Sequence, residues 1–281
     1  MKIAVTSIQR DRNPWIVEWL AFHMLVGFNQ FYIYSHKCRD GMSDTLLKLT
    51  QRYPIQVYGL ESDDKPQLAA YHHAWNTHGQ DVDWMAFIDG DEFLFPTAQS
   101  SMAEALAPYA GKPLSALAVY WMCYGSSGHI EEPAGLIMEN YTRHSARSFQ
   151  DNRHIKSIVR GGQQIEIASS HLFRTPHGTY DEQMRLITDP IIRDNPDAQP
   201  SWDKFRINHY SVQSYSFFKQ TKQNMGAADF NAAYVRPDEW FHKYDRNECD
   251  DGVSYNFLVR LKLKVRELQA AIEEVSLQQA A

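Results

Sequence analysis

The chain of 281 residues is 43% hydrophobic and 22% charged, with 34 Asp and Glu against 28 Lys and Arg, a formal net charge of −6. That composition supports a sizeable core and excludes a disordered chain, while the acidic balance argues against nucleic acid as a partner, because phosphate contacts need a net basic face. Cys38, Cys123 and Cys249 are widely separated and form no C-x-x-C pair, so neither a zinc ribbon nor a disulfide framework is indicated and a reducing compartment fits best.

The opening "MKIAVTSIQRDR" has too short an apolar run for a signal peptide, and no apolar run reaches the ~18 residues of a membrane span. The expectation is a cytoplasmic protein. "KIAVTSI" reads as a buried strand, broken by "RDRNP". Apolar residues from Trp15 to Val26 recur at helical spacing, with Asn13 as N-cap, Pro14 at the first helical position and Gly27 as a stop. "QFYIYS" is a second strand, and a helix capped by Ser43 or Asp44 should end before Pro54. "IQVYGL" is a third strand, a helix runs over 67–77, and "DWMAFIDGDEFLFP" supplies a fourth strand. This β/α alternation predicts an α/β fold, a Rossmann-like and mostly parallel sheet with helices on both faces. Strand-rich stretches follow in "LSALAVYWMCYG", "HIKSIVR" and "QIEIASSHLF". The loop-rich segment 175–203 is expected to face substrate, and a long helix closes the chain. The expected division is 1–96, 97–255 and a closing helix over 256–281.

Asp89, Asp91 and Glu92 interrupt an otherwise apolar run where the fourth strand ends, the edge at which α/β sheets bind ligands. Gly90 lets the backbone turn so that Asp89 and Asp91 point to one side. Two Asp one residue apart can hold a hard divalent cation and leave coordination positions for diphosphate oxygens. The same tripeptide also occurs in ordinary turns and calcium loops.

"RDRNPWIVEWLAFHMLVGFNQFYIYSH" resembles the opening of the family 2-like and family 92-like glycosyltransferases of GT-A fold, with Glu18, Trp19, Leu20, His23, Gly27, Phe31, Ile33 and Tyr34 in the pattern. "KPQLAAYHHAWNTHGQDVDWMAFIDGDEFLFP", "YGSSGH", "INHYSVQSYSFFKQTKQNMG" and "YDRNECDDGVSYNFLVRL" resemble later segments of these families, in order, from Ile3 to about Leu261. The resemblance implies a metal-dependent transferase moving a sugar from a nucleoside diphosphate sugar to a glycan or lipid-linked glycan acceptor, with inversion at the anomeric carbon, in surface polysaccharide or glycan biosynthesis. Asp89 and Asp91 would hold Mn2+ or Mg2+, with His209 completing the metal site and His171 as the alternative. The family's K-N-E loop is replaced here by Arg10-Asp11-Arg12, expected near the nucleotide, where Arg10 can take the Lys role toward a phosphate. Lys156 is expected to reach the diphosphate, as is Arg160 on the same strand face.

Inversion needs a carboxylate at the acceptor hydroxyl; Asp251 and Asp245 are the candidates, followed by Glu132 and Asp181. Glu18 and His23 are expected to fix the first helix rather than do chemistry. Arg260, Lys262, Lys264 and Arg266 make the last helix basic and amphipathic, suited to peripheral contact with a membrane's inner face or to packing. The same carboxylates would also serve a phosphohydrolase or nucleotidyltransferase, and a chain that had lost donor binding would remain a glycan-binding scaffold.

Overall fold

The computed structural model describes residues 1–167, 169–188, 198–228, 233–253 and 255–280. The first half alternates as the sequence predicts: β1 (Ile3–Gln9), α1 (Asn13–Leu25), β2 (Gln30–His36), α2 (Met42–Leu49), β3 (Ile55–Leu60), α3 (Pro66–His78) and β4 (Trp84–Phe87). The second half contains β5 (Glu92–Pro96), α4 (Met102–Leu106), β6 (Ala116–Cys123), α5 (Ile137–Asn140), β7 (Arg143–His144), β8 (Ile155–Arg160), β9 (Thr179–Asp181), β10 (Leu186–Ile187) and β11 (Phe205–His209). It closes with α6 (Tyr215–Gln220), α7 (Asp238–Tyr244), β12 (Cys249–Asp250) and α8 (Tyr255–Ala280).

Among the described residues ten strands form one sheet, in the order β10-β9-β6-β8-β4-β1-β2-β3, with β11 on β6 and β5 on β11. β4, β1, β2 and β3 are mutually parallel, and β8 is the antiparallel strand that joins β4 to β6. β1 shows how a fully apolar strand feeds two layers. Ile3 and Val5 join the core under α1, α2 and α8, whereas Ala4 and Ile8 join the core under α3 with Tyr71, Ala74 and Trp75.

Local chemistry shifts several boundaries. α1 begins at Asn13, one residue after an Arg12 that makes no side-chain cap; the Asn13 amide instead donates to Asp40 Oδ2 at 2.6 Å, and its side chain accepts from the Thr45 hydroxyl. Ser43 caps nothing, because its hydroxyl bonds Ser35. "QIEIASSHLF" is not a strand beyond an isolated Glu166–Arg174 bridge: the Ser169 hydroxyl accepts from the amides of His171 and Leu172 and turns the chain. The described part of segment 175–203 contributes β9 and β10 to the sheet edge, and none of its residues lines the cleft described below. Residues 189–197 of that segment lie outside the described residues.

α8 packs on α1 and α2 through Leu261, Val265, Leu268, Ala271 and Val275, all buried. Of its basic residues Lys262 pairs with Glu139 and Lys264 with Glu267 at 2.7 Å, while Arg52 reaches up to Glu274 at 2.5 Å. No described helix is long and apolar enough to cross a membrane.

Candidate active site

The predicted fourth strand is two strands with a turn between them. β4 follows β1 in parallel, and after Asp89-Gly90-Asp91 the chain reverses into β5, which pairs antiparallel with β11 so that Glu92 faces His209. The turn is closed from both ends: the Glu92 amide donates to Asp89 O at 3.2 Å, and the Asp89 amide donates to Glu92 Oε2 at 2.8 Å. The Trp19 indole of α1 donates to Glu92 O at 2.9 Å, and the Tyr210 amide donates to Asp91 O at 2.9 Å. A Cβ on Gly90 would stand 2.7 Å from the end of the Gln9 side chain, which packs against the turn at this point.

A cleft opens beyond the carboxyl ends of the parallel strands, where such sheets bind ligands. Its walls come from Gln9, Arg10 and Arg12 after β1, His36 of β2, Gln67 of α3, Asp89 and Asp91, Trp121 of β6, His171, His209 of β11, and Phe217, Lys222, Arg236 and Trp240 of the segment from α6 to α7. Four of these side chains, Arg10, Arg12, Lys222 and Arg236, are basic against the two Asp, a local basic excess in a chain whose net charge is −6.

The two Asp sit in different surroundings. Asp89 Oδ2 pairs with Lys156 Nζ at 3.0 Å, and its Oδ1 accepts from Gln67 Nε2 at 2.5 Å. Lys156 is 1% exposed; burial alone would lower its pKa, but Asp89 and Glu92 outweigh that and hold the ammonium charged, above the ordinary lysine value. Glu92 itself is fully buried, and burial with Asp89 beside it pushes its carboxyl well above the usual range against the pull of Lys156. Asp91 Oδ2 accepts from Lys222 Nζ at 2.5 Å, and Oδ1 lies 3.8 Å from His209 Nε2. Burial opposes the charged form of Asp91, yet Lys222, His209 and Arg12 prevail and keep its carboxyl well below the ordinary range.

His209 is buried against Trp121 at 4.0 Å between ring centroids, its Nδ1 has no hydrogen-bond partner among the described residues, and burial lowers its pKa to about 4, so the imidazole is neutral at pH 7. A neutral imidazole beside an ionised carboxylate is a donor set that fits Mn2+, and Asp91 with His209 would hold such an ion. Asp89 turns instead toward Lys156. Asp89, Asp91 and His209 do not bring three ligand atoms together; among the described residues the one cluster that does is Asp11, Cys38 and Asp40. That cluster is occupied by backbone amides, Arg39 N on Asp11 and Asn13 N and Met42 N on Asp40. His171 also lines the cleft with its Nδ1 on Ile155 O at 2.9 Å, and burial lowers its pKa to about 3, so its imidazole is neutral too; what separates it from His209 is that only His209 forms a close pair with Asp91.

The structure separates the other expected residues. Arg10 and Arg12 line the cleft, whereas Asp11 faces the Arg39 amide. Arg12 is 5% exposed, donates to Gln213 Oε1 at 2.7 Å and Gly90 O at 3.2 Å, and stacks over Trp15 at 4.6 Å; it braces the Asp loop from behind. Lys156 touches Asp89 rather than standing free to reach a diphosphate, and Arg160 is turned to Tyr109 O at 2.6 Å.

The four carboxylates expected as proton acceptors all lie outside the cleft lining. Asp251 accepts from the Tyr124 hydroxyl and pairs with Arg206 at 3.4 Å, 3% exposed. Asp245 accepts the Ser126 amide at 2.6 Å and clasps the G-S-S-G-H loop, where a Cβ on Gly125 would meet Arg246 O at 2.4 Å. Asp181 is tied to Arg185 at 2.6 Å, and Glu132 accepts from Ser214 and Tyr141. Glu18 accepts the amides of Ile137 and Met138 at the start of α5, and His23 bridges Trp19 O and the Leu94 amide, so both fix packing as expected. Gln67 and Lys222 lie in the segments that carry the resemblance but are not among the expected site residues, and nothing local in the sequence ties Arg236 and Trp240 to the Asp loop.

The layered, mostly parallel sheet with its cleft beyond the strand ends is the α/β arrangement expected above. A family model, Glycosyltransferase family 92, matches residues 3–232, and the chain belongs to that family. A Glycosyltransferase family 92 protein of Oryza sativa subsp. japonica is 24% identical over 263 residues, 86% of this chain and 42% of that protein. One of Arabidopsis thaliana is 24% identical over 262 residues, 86% of this chain and 44% of its own length. The chain spans less than half the length of these curated relatives. Among solved structures it is similar to S. aureus TarS 1-349 in complex with UDP, with a TM-score of 0.38 and 16% identity over 57% of this chain and 47% of that one. It is also similar to the mannosyltransferase PcManGT from Pyrobaculum calidifontis in complex with GDP-Man and Mn2+, at TM-score 0.35 and 14% identity over 43% and 35% of the two chains.

Proposed function

We propose that this glycosyltransferase takes its sugar from a nucleoside diphosphate sugar and passes it to a glycan acceptor, with a divalent cation held by Asp91 and His209. The observation that carries this reading is the cationic cleft built around two acids in an acidic chain, a charge pattern complementary to a diphosphate together with a metal. When bound, Mn2+ or Mg2+ offsets the charge that gathers on the departing nucleoside diphosphate. Arg10, Lys222 and Arg236 supply fixed positive charge on the same side, and Arg12 keeps the Asp loop in place. Trp240 and Phe217 offer apolar faces on which a sugar ring can rest. Inversion at the anomeric carbon is carried over from the resemblance and belongs to this proposal.

The test is thermal unfolding with UDP or GDP, with and without Mn2+, on the wild-type chain and on Asp91→Asn. A nucleotide at a hundred times its dissociation constant stabilises the folded state by about 2.7 kcal/mol, which raises Tm by several degrees. The expected result is a rise with at least one nucleotide that requires Mn2+ and is lost in Asp91→Asn. No rise with either nucleotide, or the same metal-dependent rise in the variant, would overturn the assignment.

A further inference from the structure

We propose that Lys222 is an exchangeable cation, resting on Asp91 in the ligand-free protein and moving to the donor's diphosphate when the divalent ion takes its place, so that metal binding depends on nucleotide. This rests on the assignment of Asp91 and His209 to the metal. The two Asp carry one lysine each, and the two lysines differ in permanence. Lys156 is the second residue of the sheet strand β8, 1% exposed, between Asp89 Oδ2 at 3.0 Å and Glu92 Oε2 at 4.0 Å; its departure would leave the fully buried Glu92 without an ammonium. Lys222 comes from the single turn 222–224 after α6, and its side chain is 15% exposed. Its ammonium takes Asp91 Oδ2 at 2.5 Å, on the same carboxylate whose other oxygen faces His209 Nε2 at 3.8 Å.

A divalent ion between Asp91 Oδ1 and His209 would therefore sit next to an ammonium on the neighbouring oxygen of one carboxyl group, and the two cations repel at that range. One must yield. The turn is built to let the ammonium yield without moving itself, because Arg236 Nη1 donates to the carbonyls of Lys222 at 2.9 Å and Gly226 at 2.8 Å and holds the backbone. Arg10, Arg12 and Arg236 share the cleft with Lys222, so a diphosphate drawn there brings acceptor oxygens to the displaced ammonium. Without nucleotide the displaced ammonium has no new acceptor, and the ion binds weakly. With it, both cations are satisfied, which is positive coupling between metal and nucleotide.

The experiment measures Mn2+ binding by the loss of the free-ion electron paramagnetic resonance signal, for wild type, Lys222→Met, Lys222→Gln and Asp91→Asn, each alone and with UDP or GDP; calorimetry on the same samples gives nucleotide affinity. In the absence of nucleotide, Lys222→Met and Lys222→Gln are expected to bind Mn2+ at least about tenfold more tightly than wild type, since a competing charge-assisted hydrogen bond is gone. The same variants lose at least about tenfold in nucleotide affinity with Mn2+ present, so the coupling collapses. Equal Mn2+ affinity in wild type and both variants, abolished in all by Asp91→Asn, would overturn the exchange and leave the metal assignment standing. Absence of Mn2+ binding in every protein, with nucleotide present, would overturn both.

Discussion

Replacing Lys156 by Met tests whether the buried lysine is structural support for the Asp loop. The substitution keeps the length of the side chain in its sheet strand but removes the charge that faces Asp89 and Glu92. Removing one partner of a fully buried pair costs about 3–5 kcal/mol; Asp89 is 32% exposed and Gln67 still donates to it, which places this case near the lower end, about 3 kcal/mol. For a domain of this size that corresponds to a fall in Tm of about 5 °C. Differential scanning calorimetry at pH 7 reads it directly. Because Glu92 is fully buried with Oε1 unpaired, the added change Glu92→Gln should recover part of the loss by removing the second stranded acid. A fall of less than about 2 °C in Lys156→Met would refute the view that this lysine holds the loop together.

His209→Ala should weaken Mn2+ binding, measured with nucleotide present, far more than His171→Ala, because His209 Nε2 lies 3.8 Å from Asp91 Oδ1; the reverse order would transfer the role to His171. Asp251→Asn should lower Tm by an amount matching about 2 kcal/mol and leave kcat unchanged, since its carboxylate holds Tyr124 and Arg206 outside the cleft; a fall in kcat of about 100-fold with donor binding intact would restore it as the proton acceptor. Burial raises Glu18 from 4.5 to about 7 against the two amides it caps. The folded state thus holds this proton more tightly than the unfolded chain, and its contribution is fully present below pH 4.5 and lost as pH rises through 7, a change of about 3 kcal/mol. In denaturant titrations at stepped pH, Glu18→Gln should flatten that slope; an unaltered slope would assign it to another group.

The first half of the fold was legible because apolar strand-like runs alternate with helical spacing, and Pro14, Gly27, the Asp40-Gly41 turn and Pro54 mark where elements begin and end. The break between β4 and β5 was half visible: the acids and Gly90 announced a turn, but the reversal of β5 onto β11 depends on a partner strand more than a hundred residues away. "QIEIASSHLF" misled because alternation of apolar residues says nothing about Ser169, whose hydroxyl captures two amides and ends any ladder. Loop composition points to segment 175–203 as the substrate-facing wall, whereas among the described residues the cleft takes part of its wall from Ser211, Phe217, Lys222, Arg236 and Trp240. Loop composition marks where a chain can turn, and topology decides which turn comes back over the strand ends.

The acids of the site make the same point in sharper form. In sequence Asp89, Asp91, Glu92, Asp245 and Asp251 are equivalent carboxylates near recognisable motifs. In the structure their roles diverge with their partners: Asp91 faces a neutral imidazole and a lysine on a short turn, Asp89 a lysine fixed in the sheet, Glu92 the amide that closes its own turn, Asp245 the Ser126 amide, and Asp251 a tyrosine and an arginine. Each partner apart from the Glu92 turn is distant along the chain; Lys222, for instance, is 131 residues from Asp91. Charge pattern alone therefore finds the cluster of acids but cannot apportion chemistry within it. What separates a ligand from a brace is whether the partner can leave, and in this cleft that distinction falls between a lysine in a strand and a lysine in a turn.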